Sequence, residues 1–128
     1  MRTQRKIIKE VNDEICPIVE SLMRIKSIWR LVVIRFLLDG PKGFNELLRT
    51  IPEINPKTLS RALKTLQEDG LIERKIINTR PFLVKYQLTQ KGLELKPTLV
   101  SLRRWGNKWV IEEATNTPKS KNKVKHFT

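Results

Sequence analysis

One cysteine and one histidine in 128 residues leave little from which to build a metal centre or a nucleophilic dyad. The lone cysteine also excludes an internal disulfide and removes any sign of an oxidising compartment. The histidine, His126, sits near the end of a polar tail. No glycine-rich phosphate loop, paired metal-ligand motif or nucleophile elbow occurs. No catalytic residue, metal or cofactor is therefore expected, and the chain does not read as an enzyme.

Long apolar runs are missing too. The strongest, Ile28 to Leu38, is interrupted by Arg30 and Arg35 and falls short of the roughly 20 residues that cross a bilayer. The first ten residues carry the charge of a signal peptide without the apolar segment that must follow. A cytoplasmic protein with no membrane partner is expected. Acidic residues are scarce: 13 Asp and Glu stand against 26 Lys and Arg, a net charge of +13 with a pI near 10.3. An excess of that size favours nucleic acid, an anionic membrane surface or an acidic protein as partner.

What is present suits one small globular domain, with 39% hydrophobic residues. Residues 1–9 hold Arg2, Arg5, Lys6 and Lys9 with no acid, and the chain from Lys119 holds four lysines with no acid. Those two stretches take eight of the 26 cations and leave 18 against 13 acids between them. The composition divides the chain into a basic arm, 1–9, a folded domain, 10–114, and a basic tail, 115–128, whose lack of periodicity predicts disorder. Such a tail adds phosphate attraction or only solubility.

Periodicity predicts the elements in between. Val11, Ile15, Ile18, Val19 and Leu22 are near helical spacing, with Pro17 placing a helix start close to Cys16. Ile28 to Leu38 is apolar on nearly every side and predicts a central buried helix. "DGPKGF" ends it, and a short helix, Asn45 to Thr50, precedes Pro52. Then "NPKTLSRALKTLQEDG" has Asn55 as a cap, Pro56 in the first turn and Gly70 at the close. "LIERKII" and "FLVKYQL", separated by "NTRP", read as a β-hairpin with a basic tip. A helix follows from a Thr89 cap, delayed by Pro97, with an apolar stripe of Leu95, Leu99, Leu102, Trp105 and Trp109. Trp29, Trp105 and Trp109 read as core and interface rather than as a base-stacking platform.

The predicted fold is mainly α with a small hairpin wing, a winged helix-turn-helix. In that arrangement the second helix of the pair enters the major groove. On the helix after Asn55, leucines take one face and Lys57, Arg61 and Lys64 the other, flanked by Thr58, Ser60 and Thr65. Cations and hydroxyls are the groups that bond guanine acceptors, other base edges and phosphates. The expected DNA contacts are Asn55, Lys57, Thr58, Ser60, Arg61, Lys64 and Thr65, with Thr79 and Arg80 on the wing. The plain alternative is a solvated helix face.

The segments "CPIVESL", "WRLVVIRFLLDGPKGFNELLRTIPEINPKTLSRALKTLQEDGLIER", "YQLTQKG" and "LVSLRRWG" resemble the HxlR-type (DUF24) winged-helix transcriptional regulators over roughly Cys16 to Trp109. The resemblance implies a homodimer on palindromic promoter DNA, joined through its first and last helices. The apolar residues at hand for that interface are Ile15, Val19, Leu22, Leu99, Leu102, Trp105 and Trp109. It also implies an oxidant, aldehyde or quinone effector acting through a cysteine at the position of Cys16. A thiol at a helix N-terminus is made more reactive by the helix dipole, whereas Glu10, Asp13, Glu14 and Glu20 oppose thiolate formation. A structural thiol near the dimer seam is the alternative. Ser27-Ile28-Trp29 stands where the family usually has Gly-Lys-Trp, and Gly43 where a basic residue is common.

Two other functions fit a basic domain of this size: an RNA-binding or ribosome-associated protein, and a winged helix used only for protein interaction. RNA modules show aromatics for stacking, and the hairpin strands have only Phe82 and Tyr86. A protein-interaction module would be expected to carry a bare or acidic helix face.

Overall fold

A computed structural model describes residues 16–111. The basic arm, Ile15 and the basic tail lie outside the described residues.

Helix α1, Pro17–Ile25, starts where Cys16 turns extended backbone into helix and Pro17 occupies the first turn. No residue of α1 is buried. Ser27 then caps α2, Ile28–Leu37, by accepting a hydrogen bond from the Trp29 N–H at 3.2 Å. Among helices, α2 is the central one, but only one of its faces is covered: Val33, Ile34 and Leu37 are buried while Ile28 and Arg35 are exposed. The expectation of burial on nearly every side is corrected to that extent: Trp29, Val32, Phe36 and Leu38 pack against the core only half-buried, and Ile28 and Arg35 stay in solvent.

Helix α3, Phe44–Thr50, begins with the Gly43 N–H donating to the Glu46 carboxylate at 3.3 Å. Helix α4, Pro56–Glu68, opens with the Asn55 Oδ1 accepting from the Thr58 N–H at 2.8 Å and closes at Gly70, whose φ of +73° only glycine adopts readily. Leu59, Ala62, Leu63 and Leu66 of α4 are buried with Val33, Ile34, Leu37, Leu47, Ile51, Ile54, Ile72 and Leu88, and this cluster is the core.

Strands β1, Ile72–Thr79, and β2, Phe82–Leu88, form an antiparallel hairpin, with Ile72 opposite Leu88 at its buried root and Thr79 opposite Phe82 at its tip. The register shifts between Ile76 and Asn78. Thr79 belongs to the strand, so the turn is shorter than "NTRP". Lys42 adds a third, one-residue strand by exchanging both backbone hydrogen bonds with Tyr86, at 3.0 and 2.8 Å.

After the hairpin, Thr89 caps a single turn, α5, Gln90–Leu93, and Pro97 stands in the first turn of α6, Lys96–Gly106. The chain continues through a π-helical turn, Asn107–Ile111. Leu95 and Leu99 pack against the core. Trp29 does so too, whereas Trp105 and Trp109 are 58% and 50% exposed, which removes them from the protomer's core. No helix among the described residues is long and apolar enough to cross a membrane.

Candidate nucleic-acid interface

The leucine face of α4 is anchored in the core, so its other face points outward by geometry. Lys57, Ser60, Arg61 and Lys64 are exposed, and Thr58 and Thr65 half-buried at the margins. Each expected residue therefore falls on the accessible side. Their hydrogen-bonding capacity differs. Asn55 commits its carbonyl oxygen to the cap and keeps its amide N–H groups. The Thr65 hydroxyl donates to the Arg61 carbonyl at 3.1 Å and retains acceptor capacity.

The electrostatics of this face are one-sided. Among the described residues, the ion pairs are Arg24 with Glu20, Arg35 with Asp39 and Lys75 with Glu73. None involves Lys57, Arg61 or Lys64. The first turn of α4 carries no acid, although carboxylates are the side chains that the positive end of a helix favours. Lys57 in that turn opposes the macrodipole. Such an arrangement costs stability in the free protein and is offset when an anion arrives.

The wing follows from α4 through the packing of α4 on β1. Thr79 and Arg80 are exposed at its tip. The Asn78 side chain shapes the tip, donating to the Arg80 carbonyl at 3.2 Å and accepting from the Arg80 N–H at 3.3 Å; both bonds use the Arg80 backbone, and among the described residues no ion pair involves its guanidinium. The strand register reveals further cations: Lys75 lies opposite Lys85. Facing like charges destabilise a hairpin, and Glu73, 3.7 Å from the Lys75 ammonium, relieves only one of the two. No one-dimensional signal identifies that pair, because it exists only once the register is set.

The remaining expected sites are dispersed. Cys16 is half-buried at the start of α1. Val19 and Leu22 on α1, and Leu102, Trp105 and Trp109 along and beyond α6, are exposed, whereas Leu99 is half-buried against the core. His126 lies outside the described residues.

The comparisons agree with this architecture. The Bacillus subtilis (strain 168) HTH-type transcriptional regulator YdeP is 30% identical over 97% of this chain and 100% of its own length. The reduced form of the transcriptional regulator YodB from B. subtilis has a TM-score of 0.67 at 34% identity, covering 76% of this chain and 96% of that one. The redox regulator HypR in its oxidised form has a TM-score of 0.66 at 32% identity, covering 73% and 96%. The model of the HxlR-like helix-turn-helix family matches residues 24–114, a span that contains the whole of α2 to α6 and the wing. With its leucine-anchored α4, its cationic outer face and its basic hairpin, the chain belongs to the HxlR-like helix-turn-helix family of transcriptional regulators.

Proposed function

We infer that this protein is a cytoplasmic regulator that binds inverted-repeat promoter DNA as a homodimer. In this reading α4 lies in the major groove and the wing tip meets phosphate or the minor groove. The observation that carries it is the row Lys57, Arg61 and Lys64: three cations that make no ion pair among the described residues, exposed on a helix whose opposite face is locked into the core. Lys and Arg at such positions bond guanine O6 and N7, and the neighbouring hydroxyls reach other base edges or phosphates. Selection of bound duplexes from a random DNA pool tests the reading, followed by affinity for duplex DNA, RNA and single strands at physiological salt. The expected product is an inverted repeat. Equal affinity for RNA or single strands would sink it.

The dimer reading is supported by the large apolar side chains left exposed on two elements at the ends of the domain. Val19 and Leu22 on one, with Leu102, Trp105 and Trp109 on the other, are large apolar side chains left exposed to solvent, and apolar groups of this kind mark an interaction surface when they adjoin. Ile15 and Leu99 extend these two sets. A two-fold arrangement makes the same patch self-complementary.

Cys16 is the candidate sensor of oxidants or electrophiles. Support comes from its position at the start of α1 and from the solved relatives, which include YodB reduced, quinone-bound and diamide-treated. With one cysteine per chain, a disulfide can join only two chains or one chain and a small thiol. Release of DNA by diamide or a quinone from the natural chain, with no release from Cys16→Ser, is the expected result. Identical behaviour of the two proteins would make Cys16 a structural thiol.

A further inference from the structure

The covered face of α2 supports α4; its other side forms one wall of a groove whose second wall is α6. Ile28, Leu31 and Val32 of α2 face Leu99, Val100 and Leu102 of α6 across a cavity of about 420 Å³. That volume lies within the range of sites for small organic ligands, roughly 300–1,000 Å³. The rim is cationic. Arg35, Lys96 and Arg103 line it with a single acid, Asp39. Asp39 is already taken by Arg35, whose guanidinium sits 3.3 Å from the carboxylate and over the Phe36 ring. Among the described residues no carboxylate pairs with Lys96 or Arg103. Positions 96, 99, 100 and 103 recur at helical spacing, so these two cations and the apolar wall belong to one face of α6.

We propose that the groove between α2 and α6 is a binding site for a small amphipathic anion, an aromatic or branched apolar body bearing a carboxylate or sulfonate. The body fills the apolar trough and the anionic group takes the Lys96 and Arg103 side chains. This site is separate from Cys16 and needs no covalent step. Its consequence for DNA rests on the function inferred above: α2 is packed against α4 on one side and lines the ligand on the other, and α6 carries Leu102 toward the inferred dimer face. A ligand wedged between the two helices alters the angle between them, and with it the separation of the two recognition helices.

The test uses the full chain and two fluorescent probes, 1-anilinonaphthalene-8-sulfonate and the uncharged N-phenyl-1-naphthylamine. Saturable binding of the sulfonate, one per chain, is expected. The double variant Lys96→Gln/Arg103→Gln should weaken the sulfonate about tenfold, the loss of one charge-assisted hydrogen bond or more, and leave the neutral probe within twofold. Val100→Trp, which fills the trough, should abolish both while circular dichroism stays unchanged. Equal loss of both probes in the charge variant overturns the proposal, as does no loss of either. It is also overturned if sulfonate affinity falls as protein concentration rises, because a second copy would then be the occupant. Probe binding is read without DNA. A protein that binds the sulfonate as described but no duplex therefore refutes the DNA reading and leaves the site standing.

Discussion

At the scale of single residues, Asn55 and Arg61 separate stability from recognition. Asn55 holds the Thr58 N–H at 2.8 Å, so Asn55→Ala is expected to cost about 1 kcal/mol of folding stability, visible in a urea melt without any DNA present. Arg61 makes no ion pair among the described residues and lies about a turn into α4. Arg61→Ala should leave the melt unchanged, weaken specific binding by about 1–3 kcal/mol and relax preference at one base position in each half-site. Full affinity with unchanged preference would remove α4 from the groove. Arg80 is a different kind of contact. At an exposed wing tip shaped by Asn78, it meets backbone rather than bases in this reading. Arg80→Ala should then lower affinity for all sequences alike and flatten the salt slope by about one phosphate's worth. A slope that does not move would take the wing off the DNA.

At the scale of elements, the junction between the wing and the C-terminal helices is closely packed around one glycine. Gly92 of α5 is buried, and a Cβ there would run into the Leu71 carbonyl oxygen, with the Leu88 side chain close by. The same junction is tied by Thr89 bonding Gly70, and by the Lys91 ammonium donating to the Asp69 carbonyl at 2.7 Å. Backbone cannot yield as a flexible side chain can, so Gly92→Ala should destabilise by about 1–3 kcal/mol, the usual range for overpacking. The check is the denaturant midpoint, read with its slope unchanged. A midpoint equal to that of the natural chain would mean that α5 slides freely on the hairpin root.

At the scale of the whole molecule, assembly determines whether two recognition helices act together. Leu102 is 53% exposed on α6, between the core-facing Leu99 and the exposed Trp105. In the inferred dimer an aspartate there would put a charge into the apolar seam; within the protomer it would reach the groove between α2 and α6 but not the buried core. Leu102→Asp should give a folded monomer by sedimentation, with DNA affinity reduced far more than by any single contact residue, because each half-site loses the avidity of the pair. The inferred dimer should present its helices roughly 34–36 Å apart, one turn of DNA. Sedimentation of the natural chain as a monomer at micromolar concentration would contradict both the dimer and the inverted repeat.

Features carried by neighbouring residues were legible in the sequence. Asn55-Pro56, Thr89 and Gly70 mark helix ends through local hydrogen bonds and backbone preference, and the structure has each of them as cap or stop. The leucine period of α4 sets its buried face, and hence its outward cations, without reference to any tertiary contact. Pro97 fixed the late start of α6 because a proline suits only a first turn. Features that depend on segments far apart in the chain came only from the tertiary structure. The Lys42 strand is one residue long and exists because Tyr86 is beside it. The Lys75–Lys85 pair depends on register, and the exposure of Trp105 and Trp109 on how far α6 reaches past the core. The groove with Lys96 and Arg103 at its rim needed α2 and α6 side by side. Sequence determines which groups a helix can offer; packing decides which of them meet each other and which are left for a partner.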